Sequence, residues 1–194
     1  MIRLWYRCVK LFLKIFIICS NCFWVAQMFA APIPVVGVTK DSDGVALQMK
    51  PGVMRLEVYS PRIIRVTYAA QQKLPDLSSL AIIGKPKLTK WNWRQTNDEI
   101  ILRTDEVQAH VNRATGAVSF FDKSGAPILA ENPQGGKSLT PARINGINTL
   151  RSQDEFVLAP GEAIYGLGQH QNGLMNYRGT AIHLQQRNPT QSAV

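Results

Sequence analysis

From Val35 to Phe121, apolar and polar residues alternate with a period of two rather than 3.6. Val53, Arg55, Glu57 and Tyr59 alternate with Met54, Leu56 and Val58. Val107, Ala109 and Val111 alternate with Gln108, His110 and Asn112. β-Branched runs occur at Ile63–Thr67 and Ile100–Leu102, and Val118 and Phe120 resume the alternation after a turn at Ala114-Thr115-Gly116. A two-residue period places successive side chains on opposite faces, so these segments predict half-buried antiparallel strands. Ser60-Pro61, Lys123-Ser124-Gly125 and Asn132-Pro133-Gln134-Gly135-Gly136 read as turns or loops between them. No window carries an amphipathic helical pattern, and the expected fold class is an all-β antiparallel β-sandwich.

Gln71 to Trp93 is less regular, being broken by Pro75, Gly84 and Pro86. Trp91 and Trp93 would share one face of any strand containing them. Such a pair could stack on sugar rings. The preferred reading is that it covers a sandwich edge or packs on a neighbouring domain, since an indole suits interfaces.

The amino terminus changes the count of residues available to fold. Arg3, Arg7, Lys10 and Lys14 precede a mostly apolar run from Leu11 to Phe29, and Ala30-Ala31 stand before Pro32. That order matches a secretory signal peptide, with an uncleaved membrane anchor as the competing reading, so residues 1–30 are expected to be cleaved and 31–194 to form one domain, periplasmic or extracellular. The stretch Ile15–Ala31 is marginal in length for a bilayer and is interrupted by Ser20, Asn21 and Gln27, so no stable membrane span is expected after cleavage. Cys8, Cys19 and Cys22 all fall within this leader, which leaves no disulfide or cysteine metal site beyond it. Of 22 basic residues four lie in the leader, leaving 18 against 13 acids, or +5 in place of +9. Those that remain are scattered, and nucleic-acid binding has no support.

The most distinctive stretch runs from Phe156 to Val194. Tyr165-Gly166-Leu167-Gly168 is followed by Gln169, His170, Gln171 and Asn172, and Gly173 closes the run. Glycines admit positive φ and leave room for close approach. Amide and imidazole groups supply the donors and acceptors that sugar hydroxyls require. Phe156, Glu162, Ile164–Gln169 and Asn176-Tyr177-Arg178-Gly179, with Leu184, Gln185 and Asn188, resemble the end of the N-terminal domain of glycoside hydrolase family 31, which contains α-glucosidases and α-xylosidases. Arg62–Val66 is similar to an early strand pair of that domain. Ala117–Asp122 with Ile128–Glu131 is similar to its central hairpin. The resemblance reaches from about Val35 to the end and implies a galactose-mutarotase-like sandwich. It also implies a front piece of an exported enzyme that ends before its catalytic barrel, and that barrel would be its partner, with an oligo- or polysaccharide as substrate.

On this reading Glu162 caps a loop, Tyr165 fills the core, and Gln169, His170, Gln171 and Asn172 line the substrate entrance. No catalytic residue is expected. Retaining glycoside hydrolysis requires two carboxyl groups about 5–5.5 Å apart. Asp98-Glu99, Asp105-Glu106 and Asp154-Glu155 are neighbours whose side chains diverge in an extended strand. The three histidines, His110, His170 and His183, are too dispersed for a metal site, and no cofactor is expected. Mutarotase chemistry does not follow from kinship of fold, and His110 reads as a surface histidine. A stand-alone carbohydrate-binding or interaction module is the competing reading of the whole chain.

Overall fold

The computed structural model describes residues 31–74, 88–168 and 173–184; the proposed leader, 1–30, lies outside them. Twelve strands and no helix make up the described part, so none of its elements is a helix long and apolar enough to cross a membrane. β1 (Val35–Lys40), β2 (Gly44–Met49), β3 (Val53–Ser60) and β4 (Ile63–Ala69) form a four-stranded antiparallel meander. β5 (Trp91–Gln95), β6 (Glu99–Thr104), β7 (Val107–Asn112), β8 (Val118–Asp122) and β9 (Pro127–Glu131) form a second meander. β12 (Phe156–Val157) returns beside β9 to complete six strands in the order β12-β9-β8-β7-β6-β5.

The period-two pattern dictates how the sheets pack. Val45, Leu47 and Met49 of β2 and Met54, Leu56 and Val58 of β3 point inward, each no more than 2% exposed. They meet Ile100, Leu102, Ala109, Val111 and Val118 from the six-stranded sheet in one continuous core. Burying a side chain of this size contributes roughly 1.5–3 kcal/mol. The turn expected at Ala114–Gly116 is present. The Asn112 side-chain oxygen accepts from the Ala114 and Thr115 amides at 2.9 and 3.0 Å, and Gly116 takes φ +71°. Trp91 and Trp93 pack against the core from β5, the last strand of its sheet, and the Lys40 ammonium lies 5.2 Å from the Trp91 ring centre. They cover the sandwich edge.

A further hairpin, which the alternation did not predict, leaves the sandwich between β9 and β12. β10 (Lys137–Ile144) and β11 (Ile147–Asp154) pair in unbroken register and turn at Asn145 (φ 49°) and Gly146 (φ 80°). Two central residues with positive φ fit the right-handed twist of a tight hairpin. β11 is exposed along its whole length, so the hairpin projects as an arm.

Candidate functional site

Beyond β12 the chain is held by side chain-to-backbone bonds rather than by a sheet. The Ala159–Glu162 turn is closed twice, by Glu162 N–H to the Ala159 carbonyl at 3.1 Å and by Ala159 N–H to the Glu162 carboxylate at 2.7 Å. Glu162 therefore caps the turn, as expected. Arg178 donates one guanidinium nitrogen to the carbonyls of Ala159 (2.8 Å) and Glu162 (2.7 Å). The Asn176 side-chain oxygen accepts from the amides of Ile164 (3.1 Å) and Arg178 (3.0 Å), and Tyr177 N–H donates to the Ile164 carbonyl at 2.8 Å. The Asn176-Tyr177-Arg178 run thus clasps the Ala159–Ile164 run.

Immediately past the clasp, Gly166, Leu167 and Gly168 all adopt positive φ (90°, 63° and 96°). A Cβ built on Gly166 would meet nothing within 4 Å, so glycine serves backbone geometry there rather than space. A leucine in this region costs about 1–2 kcal/mol, strain of the kind that gathers where a loop must be aimed. Tyr165 does not fill the core: it is 66% exposed, because the reversal that begins at Gly166 turns it outward. The buried tyrosine is Tyr177, at 6%. Gln169, His170, Gln171 and Asn172 lie outside the described residues; the clasp and Gly173 (φ 71°) flank them.

Replacing Arg178 by alanine should free both carbonyls and loosen the clasp. Hydrogen bonds to a charged donor contribute about 1.5–3 kcal/mol, and here the effect is local because Arg178 is exposed and away from the core. Limited proteolysis between residues 159 and 178 is expected to quicken about tenfold, with the sandwich transition displaced by no more than about 1 kcal/mol.

The neighbouring carboxylate pairs are engaged separately. Glu99 lies 3.4 Å from His110 Nδ1, Glu106 pairs with Arg62 at 2.7 Å, and Glu155 accepts from Asn132 at 3.0 Å and Gln153 at 2.6 Å. His110 is more enclosed than a surface histidine. Its side chain is 20% exposed, and its ring centre lies 4.7 Å from that of Phe121. His183 is exposed. Among the described residues no three of His, Cys, Asp and Glu group to hold a metal.

Three polar side chains are buried among the described residues, Glu57, Gln108 and Glu131, and the last of them links two elements. Glu131, 5% exposed, accepts the Val118 amide at 3.0 Å and pairs with Lys137 Nζ, which also reaches the Gly116 carbonyl at 3.3 Å. Burial pushes the Glu131 carboxyl above its ordinary value; Lys137 opposes that rise and Asp154 adds to it. The pair ties the root of the hairpin arm to the β7–β8 turn.

Exposed apolar side chains are unevenly placed. Of fourteen large ones among the described residues, eleven lie at Ile128 or beyond, including Leu150 on the arm, Phe156, Tyr165 and Met175.

The described residues thus form an antiparallel sandwich from which a hairpin projects, followed by a clasped glycine-rich segment. Residues 53–191 match the glycosyl hydrolase 31 N-terminal galactose mutarotase-like domain, and the chain belongs to that family. The family 31 α-xylosidase of Xanthomonas citri is 31% identical, with a TM-score of 0.65 over 84% of this chain and 17% of that one. An α-xylosidase from a soil metagenome, solved with xylose, shares the fold at 22% identity and TM-score 0.66, over 80% and 25% of the two chains. The dextranase of Flavobacterium johnsoniae, solved with glucose, does so at 18% identity and 0.61, over 78% and 18%. The chain thus spans a quarter or less of the length of these enzymes.

Proposed function

We propose that this chain is the non-catalytic N-terminal domain of an exported retaining α-glycosidase that hydrolyses α-xylosides or α-glucosides. Its role is to support a catalytic barrel and to present Gln169, His170, Gln171 and Asn172 at the substrate entrance. The carrying observation is the family match over residues 53–191, and the eleven exposed apolar side chains at Ile128 or beyond are ones that a neighbouring domain could cover. Identity to an α-xylosidase favours this substrate class. The clasp supports the placement of the polar run, since a loop that contacts ligand must be aimed from a fixed base. Export follows from the leader-like order of residues 1–30, with the domain beginning at Ala31.

The test compares residues 32–194 with the same chain extended along its reading frame through the next domain. Aryl α-xyloside and aryl α-glucoside should be untouched by the short form and turned over by the long one. In the long form, Gln169→Ala and His170→Ala should raise KM about tenfold, equivalent to about 1.4 kcal/mol, and lower kcat less. Turnover by the short form that survives purification controls would overturn the non-catalytic role.

A further inference from the structure

Three asparagines at turns are tied down by their side chains. Asn112 accepts the Ala114 and Thr115 amides at 2.9 and 3.0 Å. Asn132 accepts the Gln134 amide at 3.1 Å and donates to Glu155 at 3.0 Å, and Asn176 accepts from Ile164 and Arg178. Asn145, at the tip of the β10–β11 arm, differs from all of them. It is exposed, as is Gly146, and among the described residues neither its side chain nor the Gly146 N–H has a hydrogen-bond partner. A Cβ built on Gly146 would meet nothing within 4 Å, so that side of the turn is open.

We propose that Asn145 is a site of spontaneous deamidation, through which the protein modifies its own arm as it ages. The Gly146 N–H gives its proton to hydroxide, and its nitrogen attacks the side-chain carbonyl carbon of Asn145. The bond from that carbon to the side-chain nitrogen breaks, and the nitrogen leaves with a proton from water as ammonia, which restores the hydroxide. A five-membered cyclic imide remains, and water adds to one of its two carbonyls to open it. Addition at the side-chain carbon gives aspartate in an unchanged backbone. Addition at the main-chain carbon gives isoaspartate, in which the chain runs through the former side chain. Each event consumes one water and releases one ammonia, with no oxidation or reduction.

The structure favours each step at this turn. Attack needs a successor whose side chain does not stand in the way, and glycine has none. Asn132, by contrast, precedes Pro133, which has no N–H to attack with. The turn must also open for the nitrogen to reach the carbonyl. β11 is exposed along its whole length, and Ile144 and Ile147, the last pair of the arm, are 61% and 70% exposed. Fraying there gives up no buried surface, so the tip belongs to the least stable part of the fold. Arg143 Nε donates to the Gly146 carbonyl at 3.3 Å and keeps a cation beside the turn. A neighbouring positive charge favours the anionic amide that attacks.

The two products act differently on the arm. Aspartate tolerates positive φ and keeps the two-residue turn. Isoaspartate lengthens the backbone inside a turn that closes with two residues at positive φ, so the Ile144–Ile147 pairing is lost first. This chemistry needs neither a neighbouring domain nor the reading of the chain as part of a glycosidase.

The test is peptide mapping of the 194-residue chain held at mildly alkaline pH, folded and in urea. Trypsin cuts after Arg143 and Arg151, so Asn145 and Asn148 report from one peptide, separate from Asn172. In the folded chain Asn145 should gain the mass of an acid in place of an amide at least about tenfold faster than Asn148, whose successor Thr149 is β-branched. Fragmentation of the peptide should reveal isoaspartate as well as aspartate. Urea should quicken the conversion by no more than about threefold, because the folded tip already opens. Gly146→Ala should slow it at least about tenfold, even though an alanine at φ 80° loosens the turn. Asn145 converting no faster than Asn148, or only in urea, would overturn the proposal. Aspartate without isoaspartate, or a Gly146→Ala variant that converts as fast, would assign the mass gain to direct hydrolysis of the side chain and overturn it too.

Discussion

Replacing Lys137 by methionine is expected to destabilise the domain by about 3–5 kcal/mol at neutral pH and by much less in acid. Glu131 and Lys137 are 5% and 11% exposed at their side chains, so each takes a charge out of water. Removing one partner leaves the other charge buried without compensation. Burial already raises the Glu131 carboxyl above its ordinary value of 4.5, and Lys137 is the chief influence holding it down. The variant raises it further, with the Asp154 charge acting in the same direction. A carboxyl whose folded value lies above its unfolded value holds its proton more tightly in the folded state. Its contribution is therefore fully present below the unfolded value and is lost as pH rises through the folded one. The deficit of Lys137→Met should open as pH rises above 4.5 and be largest at neutrality. Urea denaturation of both proteins across that range measures it. Adding Glu131→Gln, which keeps an acceptor for the Val118 amide, should recover most of the loss at neutral pH, because replacing both members of a buried pair is tolerated. A deficit that is flat with pH, or a double variant as weak as the single, would show that the pair does not govern this end of the sandwich.

That pair also shows where reading the chain in one dimension stops. Strands with one face inside announce themselves: the alternations at Val53–Tyr59 and Val107–Val111 became β3 and β7, and the turn at Ala114–Gly116 stands between β7 and β8. The β10–β11 arm has no buried face, so its composition carries no period to detect. Its one legible signal was Asn145-Gly146, the dipeptide a two-residue hairpin favours. Glu131 and Lys137 stand six residues apart across a loop of Asn, Pro, Gln and Gly, a setting in which charges look solvated. Only the folding of the loop back over Gly116 and Val118 buries them. Tyr165 and Tyr177 are the same residue type in neighbouring motifs, and backbone direction alone decides which goes inside. Gly166 turns the first outward and the Ile164–Asn176 contacts carry the second in. Glu162 was legible because its partner is three residues away; Arg178 was not, because its carbonyl acceptors lie 16 and 19 residues back.

Gly44→Ala is expected to destabilise the domain by about 3 kcal/mol or more, at the upper end of what overpacking costs, although the change adds one methyl group. Gly44 opens β2 and pairs with Glu57 of β3. A Cβ at Gly44 would stand 1.8 Å from the Leu56 carbonyl oxygen and 2.9 Å from its carbon, both backbone atoms that cannot rotate away. The start of β2 would have to move off β3, and that movement strains the adjoining bond from Val58 N–H to the Asp43 carbonyl, 2.7 Å. It also draws Asp43 from Arg55, which it meets at 2.8 Å, and Arg55 joins Asp41 and Glu57 on the outer face of the sheet. Gly37 supplies the internal control. It lies in the neighbouring strand, and its Cβ would meet the Gln48 Cβ at an ordinary 3.4 Å. Gly37→Ala should therefore shift stability by no more than about 0.5 kcal/mol in either direction. Thermal unfolding of the two variants separates steric exclusion from the general preference of strands against glycine. If both lose little, β2 has room to shift; if both lose heavily, the four-stranded sheet tolerates no change at that edge and the contact at Leu56 is not the cause.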